Sequence, residues 1–110
     1  MTTEQIETGR IETGWIETGR TYGSSEPVAI RVVRRGTKVT IDDDGAAVRL
    51  AGRPSGWLER AERIVAAAGL NVNRRGVVFV PAVGDERTER LVALVAATSL
   101  EVYDALLDER

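Results

Sequence analysis

The 110-residue chain contains no cysteine and no histidine. It therefore forms no disulfide, has no thiol nucleophile, and lacks the residues that build most zinc sites and serve as most general bases. No serine lies in a Gly-x-Ser-x-Gly elbow, and the glycines form neither a dinucleotide-binding fingerprint nor a phosphate-binding loop. These absences predict a protein that is not an enzyme, with no catalytic residue, no cofactor and no metal.

Long apolar runs are missing as well. No window holds 18 consecutive apolar residues, so we expect no membrane-spanning helix, and the N-terminus lacks the charged start and apolar run of a secretion signal. Hydrophobic residues make up 43% of the chain and charged residues 29%, which is typical of a soluble globular domain. The sequence therefore predicts a cytoplasmic protein, and its preference for Arg, Ala and Val is typical of a GC-rich bacterial genome.

The charges are unevenly distributed along the chain. Residues 1–26 carry two Arg and five Glu, a net charge of −3, and residues 85–110 carry three Arg and seven acids, a net charge of −4. Residues 27–84 carry nine Arg, one Lys and five acids, a net charge of +5. A basic middle between acidic ends can bind an anionic partner or pair with its own ends.

The N-terminal segment is repetitive. The sequence Ile-Glu-Thr-Gly occurs at residues 6–9, 11–14 and 16–19, with a period of five. This period places successive Ile side chains on opposite faces of a strand and does not align them on a helix, while a Gly in every copy weakens both structures. We therefore expect residues 1–26 to form a low-complexity tail. The alternative is a short segment that orders against a partner or a sheet edge, with Trp15 as its anchor.

The pattern from residue 27 onward predicts a single α+β domain over residues 27–110. Apolar and β-branched runs predict strands at 28–33, 38–41, 46–50 and 77–80, joined by turns at 34–37 and 42–45. Helical spacing begins at Trp57, after a predicted N-cap at Ser55, and ends at Gly69. The resulting architecture is an antiparallel sheet of four to five short strands with two helices on one face.

The segment after Gly69 resembles a second hairpin. Residues 70–73 lead through an Arg-Arg-Gly turn into the apolar run at 77–80, which we expect Pro81 and Gly84 to close. A long final helix begins at Asp85, a predicted N-cap. Its apolar stripe exceeds what one sheet face is expected to cover, which predicts self-association. The residues assigned to that contact are Leu91, Leu94, Val95, Val102, Tyr103 and Leu106.

Two Arg-Arg-Gly turns are the candidate anion site. Arg34 and Arg35 precede Gly36, and Arg74 and Arg75 precede Gly76, each pair at a predicted hairpin tip. If both tips lie at one edge of the sheet, four guanidinium groups converge and can contact phosphates or nucleic acid, with Arg31, Lys38, Arg49 and Arg53 extending the patch. The other interpretation is that the tips are solvated or pair with the acidic C-terminal helix.

Asp42, Asp43 and Asp44 form the only carboxylate cluster. Three acids supply the oxygen ligands that Mg²⁺ and Ca²⁺ prefer, but adjacent residues at a strand end point in opposite directions, and the loop lacks the spacing of an EF-hand. We therefore interpret the cluster as a solvated turn. A metal-dependent hydrolase is a distant third hypothesis for the function.

The order of these elements resembles a family. The sequence Ile-Asp-Asp-Asp-Gly-Ala at 41–46, a helix through Ile64 and Val65, the hairpin at 69–80 and the long last helix resemble a bacterial and phage family known only as a domain of unknown function, DUF1828, over residues 28–108. The resemblance implies an α+β fold and a phage- or defence-related setting. It implies no catalytic residue.

Our leading hypothesis is a non-catalytic binding module that contacts a protein partner and self-associates as a homodimer. The alternative is a nucleic-acid-associated module that uses the two Arg-Arg-Gly tips.

Overall fold

The computed structural model describes residues 11–23 and 25–108. The elements, in chain order, are β1 (Ile11–Thr21), β2 (Pro27–Arg35), β3 (Lys38–Asp42), α1 (Ala46–Ala51), α2 (Trp57–Ala67), β4 (Asn71–Val72), β5 (Val78–Gly84), a 3₁₀ turn (Asp85–Arg87) and α3 (Thr88–Asp108). In the described part of the chain the strands form one antiparallel sheet with the order β1-β2-β3-β5-β4. The predicted α+β class is confirmed, and the described ranges contain three α-helices in place of the predicted two.

The predicted β2–β3 hairpin forms the centre of this sheet. Val28, Ile30 and Val32 are buried and alternate with exposed or half-buried residues, as expected for a strand covered on one face. Val32 pairs with Ile41, which is also buried, so both side chains share the face that packs against the helices. Gly36 has the positive φ of 61° that the tight turn requires.

The second and third Ile-Glu-Thr-Gly repeats form β1, which lies at one margin of the sheet. β1 pairs antiparallel with β2, and Ile16 lies opposite Ile30. The alternative prediction, a segment that orders against a sheet edge, therefore describes residues 11–21. These residues belong to the same sheet as β2, β3, β5 and β4. The first repeat lies outside the described residues.

The predicted third strand at 46–50 is wrong, because residues Ala46–Ala51 form helix α1. The Asp43 carboxylate accepts hydrogen bonds from the backbone N–H groups of Gly45 at 2.8 Å and Ala47 at 3.4 Å, which satisfies donors that a helix N-terminus leaves open. Gly45 has φ 77°, so the chain turns directly into the helix rather than into a hairpin.

Helix α2 begins at Trp57 as predicted, but Ser55 is not its N-cap. Gly56 occupies that position with φ 75° and provides no side-chain cap. The predicted C-terminal role of Gly69 is confirmed: its N–H donates to the Ala66 carbonyl, and the Leu70 N–H donates to the Val65 carbonyl. These two bonds are those of a Schellman motif.

The hairpin of β4 and β5 is also confirmed, but Pro81 does not end β5. The register of β3 against β5 moves from Val39–Val83 to Ile41–Val80, so β5 contains one extra residue there. Such a bulge interrupts the ladder of hydrogen bonds and therefore tolerates a proline, which has no N–H to donate. The strand continues to Gly84.

Helix α3 is the long final helix that the spacing predicts, preceded by a 3₁₀ turn rather than beginning at Asp85 itself. It packs against β2, β3 and β5 and against α1 and α2. Of the helices in the described ranges, none is long and apolar enough to cross a membrane.

Candidate interaction surface

The sheet has a second face, opposite the helices, which we call the open face. One row of directly paired residues crosses all five strands on this face, and each pair is adjacent in the register of neighbouring strands. The row consists of Trp15, Arg31, Asp42, Phe79 and Asn71. It places an aromatic side chain on each side of an arginine and a carboxylate.

The Trp15 side chain packs on Arg31, and its ring remains accessible to solvent. The Arg31 guanidinium carbon lies 5.8 Å from the ring centroid, a cation–π distance. Arg31 Nε in turn donates to both Asp42 carboxylate oxygens, at 3.1 and 3.2 Å, and a second nitrogen lies 3.3 Å from Asp44. Trp15 is nevertheless 52% exposed. Trp15 therefore presents an aromatic surface that packs on Arg31, and the charge of Arg31 is neutralised by Asp42 and Asp44 of the same chain.

Both ends of the sheet carry exposed charged residues. At one end, Arg35 lies between Ile11 and Lys38, and both cations are exposed; we call this the cationic end. At the other end, Glu17 pairs with Ala29, and the turn after β3 places the exposed Asp44 nearby, while the turn that carries the exposed Arg74 and Arg75 lies at this same end of the sheet. Thr13, Val33 and Thr40 form the row between Arg35 and Arg31, so the middle of the face is weakly polar.

Strand β1 is also accessible on the helix side. A groove of about 390 Å³ runs between β1 and α3, with Ile16, Thr18 and Arg20 on one wall and Glu89, Val92, Ala93 and Ala96 on the other. Ile11 and Ile16 are 54% and 40% exposed. With Trp15, they are the exposed large hydrophobic residues of the described chain, and all three lie on β1.

The four arginines proposed as an anion site do not converge. Lys38 pairs with Gly84 and Asp42 pairs with Phe79, so β5 begins at the end of the sheet where β3 finishes. The turn that carries Arg34 and Arg35 therefore lies at one end of the sheet, and the turn that carries Arg74 and Arg75 lies at the other. A five-residue strand separates them, about 16 Å. Within the second group, Arg53 donates to the Arg75 carbonyl at 2.7 Å.

The residues assigned to self-association lie against the core of their own chain. Val95, Val102, Tyr103 and Leu106 are buried, and Leu91 and Leu94 are partly buried against the same cluster. The expectation that the sheet leaves this stripe uncovered is wrong, because α1 and α2 also pack on α3. The exposed large hydrophobic side chains of the described residues therefore lie on β1, and not on α3 as predicted.

The interpretation of residues 42–44 as a solvated turn holds for Asp44, which is exposed, but is wrong for Asp42 and Asp43, which are buried. Asp43 is 1% exposed, and its carboxylate accepts hydrogen bonds from the Val78 N–H at 2.9 Å and the Ser99 hydroxyl, in addition to Gly45 and Ala47. Burial raises the pKa of Asp43, and these hydrogen bonds oppose the rise. One side chain thus connects β3, α1, β5 and α3. No group of three or more possible metal ligands occurs in the described ranges.

Tyr22 and Ser99 complete this buried polar cluster, and sequence reasoning did not assign either of them a role in it. Ser99 is fully buried on α3, and Tyr22 packs on Tyr103 with ring centroids 5.2 Å apart. Burial raises the pKa of the Tyr22 hydroxyl to about 12. Among the described residues this hydroxyl has no hydrogen-bond partner in good geometry. The helical spacing of Ser99 from the apolar residues Val95 and Val102 is the sequence signal that it faces the core.

The chain matches no protein-family model, and neither the curated proteins nor the solved structures show a significant similarity to it. The resemblance to the DUF1828 family stays a prediction.

Proposed function

We propose that this protein is a non-catalytic binding module that self-associates through strand β1 and the open face. The observation that carries the proposal is the position of Ile11, Trp15 and Ile16: the largest exposed hydrophobic side chains of the described residues lie on one strand. Apolar surface that is concentrated in this way, with a polar surround, is typical of an interaction site.

The rigidity of Trp15 supports the same function. Tryptophan is enriched among the residues that dominate binding energy, and ordering a side chain on association costs conformational free energy. Arg31 already stacks on the Trp15 ring and is itself fixed by Asp42. The Trp15 ring is therefore partly ordered before a partner binds, which lowers the conformational free energy that association costs.

Sedimentation equilibrium of the full chain tests the proposal over concentrations from about 1 μM to about 1 mM. We expect the average mass to rise from 12.0 kDa toward twice that value. The Trp15→Thr variant introduces a residue that also favours strands and should weaken association about tenfold, because it removes the central aromatic contact. A wild-type mass that stays at 12.0 kDa throughout contradicts the proposal.

A further inference from the structure

We infer that a surface at the margin of the sheet opposite β1 binds the phosphate backbone of a nucleic acid through four arginines. These arginines belong to three segments that pack together: α1, the loop that follows it, and the turn between β4 and β5. We call them the arginine cluster, which consists of Arg49, Arg53, Arg74 and Arg75. The inference is independent of the proposed self-association, because β1 and the β4–β5 hairpin lie at opposite margins of the sheet.

Direct contacts hold the three segments of the arginine cluster together. The Arg53 guanidinium donates to the Arg75 carbonyl at 2.7 Å, and the Arg53 N–H donates to the Val48 carbonyl at 3.2 Å. The turn also packs on α1, because a Cβ atom at Gly76 would lie only 3.0 Å from the Cβ of Val48. Since Arg49 follows Val48 in α1, these contacts bring all four arginines to one region of the surface.

The turn that carries Arg74 and Arg75 is fixed by one asparagine. The side-chain oxygen of Asn73 accepts hydrogen bonds from the N–H groups of Arg75 at 2.9 Å and Val77 at 3.0 Å. The Asn73 carbonyl accepts a further hydrogen bond from the Gly76 N–H at 2.9 Å. The backbone that presents the two arginines is therefore already formed, which reduces the free energy that binding costs.

The arginine cluster is a local concentration of positive charge in a chain whose net charge is −2. The four arginines lie in residues 45–58 and 63–84, and neither of these stretches contains an acidic residue. A local concentration of one sign attracts an oppositely charged ligand even when the whole chain does not carry that sign.

The charge of the cluster is not neutralised within the described part of the chain, where none of its four guanidinium groups forms an ion pair with a carboxylate. Arg49 donates to the backbone carbonyl of Asp44 at 3.1 Å, whereas the carboxylate of Asp44 pairs with Arg31. The Arg53 guanidinium carbon lies 5.3 Å from the centroid of the Trp57 ring. These contacts orient Arg49 and Arg53 and leave their positive charge in place.

The chemistry of the cluster fits phosphate groups. A guanidinium group donates two parallel hydrogen bonds to a phosphate, and it stays charged at any physiological pH. All four arginines are exposed, so they form an open surface and not an enclosed site. Exposed cations on three adjacent segments suit a ligand that carries several phosphates in a row, as a nucleic-acid backbone does.

The salt dependence of DNA binding tests the inference. The probe is a fluorescein-labelled DNA duplex of about 20 base pairs, and its anisotropy is measured with the full chain between about 25 and 200 mM salt. Four phosphate contacts should make the logarithm of the affinity fall with the logarithm of the salt concentration with a slope of about −3 to −4. Arg74→Gln combined with Arg75→Gln should weaken binding at least about tenfold at the lowest salt and make the slope shallower by about two. Arg49→Gln should make it shallower by about one.

Arg35→Gln combined with Lys38→Gln is the matched control, because it removes two exposed positive charges at the cationic end, which lies outside the arginine cluster. This variant should keep the wild-type slope and bind within about twofold of the wild type. Circular dichroism melting verifies that each variant folds. Since the replaced side chains are exposed, the melts should coincide with that of the wild type.

A wild-type protein that does not bind the duplex at the lowest salt overturns the inference, as does a control that weakens binding as much as the loss of Arg74 and Arg75. Displacement of the duplex by about 1 mM inorganic phosphate at constant ionic strength would assign the cluster to a small phosphate ligand and would also overturn it. None of these outcomes bears on the proposed self-association, which is measured without DNA.

Discussion

The centre of the sheet and its β1 margin are built in opposite ways. At the centre, β2, β3 and β5 are covered by helices, and one carboxylate, Asp43, accepts four hydrogen bonds from three other elements and its own turn. At the margin, β1 pairs with β2 but leaves Ile11, Trp15 and Ile16 exposed. At the centre, the Asp43 carboxylate and its donors are hydrogen-bonded within the chain. At the margin, large hydrophobic side chains are exposed to solvent.

With the proposed function, this difference assigns stability and binding to separate regions of one small domain. Side chains at the centre should control unfolding, because removing them leaves buried donors without acceptors. Side chains at the margin should change association with little effect on unfolding, because they are half exposed already. Substitutions in the two regions therefore have distinct signatures, and the following predictions compare them from the largest expected effect to the smallest.

Asp43→Ala should destabilise the protein the most. The N–H groups of Gly45 and Val78 and the Ser99 hydroxyl would lose their acceptor in the interior, and each unsatisfied group costs about 1–3 kcal/mol. We expect the free energy of unfolding in urea to fall by at least about 3 kcal/mol. Asp43→Asn should cost less, because one oxygen still accepts from Gly45 and Val78. An alanine variant within about 1 kcal/mol of the wild type would refute the central role of Asp43.

Tyr22→Phe should matter only at alkaline pH. Because the pKa of Tyr22 is about 12 in the folded protein and 10.0 in the reference state, the unfolded chain loses this proton first as the pH rises. The wild type should therefore lose up to about 2–3 kcal/mol of stability between pH 10 and 12 through this group, and the variant should lack that part of the decrease. At pH 7 the variant should be close to the wild type, because the buried hydroxyl that it removes has no hydrogen-bond partner in good geometry among the described residues. Urea melts at pH 7 and above pH 10 provide the comparison, and identical alkaline decreases for both proteins would rule out this role of Tyr22.

Trp15→Thr should have the smallest effect on stability. The side chain is half exposed, so we expect the unfolding free energy to change by less than about 1 kcal/mol, measured at a concentration where the protein is monomeric. Ile16→Thr changes the opposite side of the same strand, which faces the groove beside α3, and it should also change the unfolding free energy by less than about 1 kcal/mol because Ile16 is 40% exposed. A large loss of stability in the Trp15 variant would place this residue in the folding core rather than on a binding surface.

The elements with clear periodicity were predictable from the sequence. The strands at β2 and β3, the helix from Trp57 to Gly69 and the last helix follow from alternation, helical spacing and glycine turns. Helix α1 was not, because a short apolar run without long periodicity suits a strand as well as a helix. Helix α1 depends on hydrogen bonds that the Asp43 carboxylate accepts from backbone N–H groups that a hairpin would not place there. One of these donors is Val78, which is 35 residues away in the sequence.

The location of the candidate surface depended on the order of the strands. Because β5 pairs with β3, the two arginine turns lie at opposite ends of the sheet, a fact that no local pattern contains. The odd period of the repeats argues against a strand with one buried face. In the structure, Ile11 and Ile16, which begin successive repeats, point to opposite faces of β1, and both side chains are exposed, which is why the odd period fits a margin.

The most direct test of the account is the fluorescence of Trp15 as a function of protein concentration. Trp57→Phe removes the other tryptophan of the chain, so the emission reports Trp15 alone. If a second copy covers the open face, the emission maximum should shift to shorter wavelength over the same concentration range in which the mass doubles. A mass that doubles while the emission maximum stays constant would contradict the account.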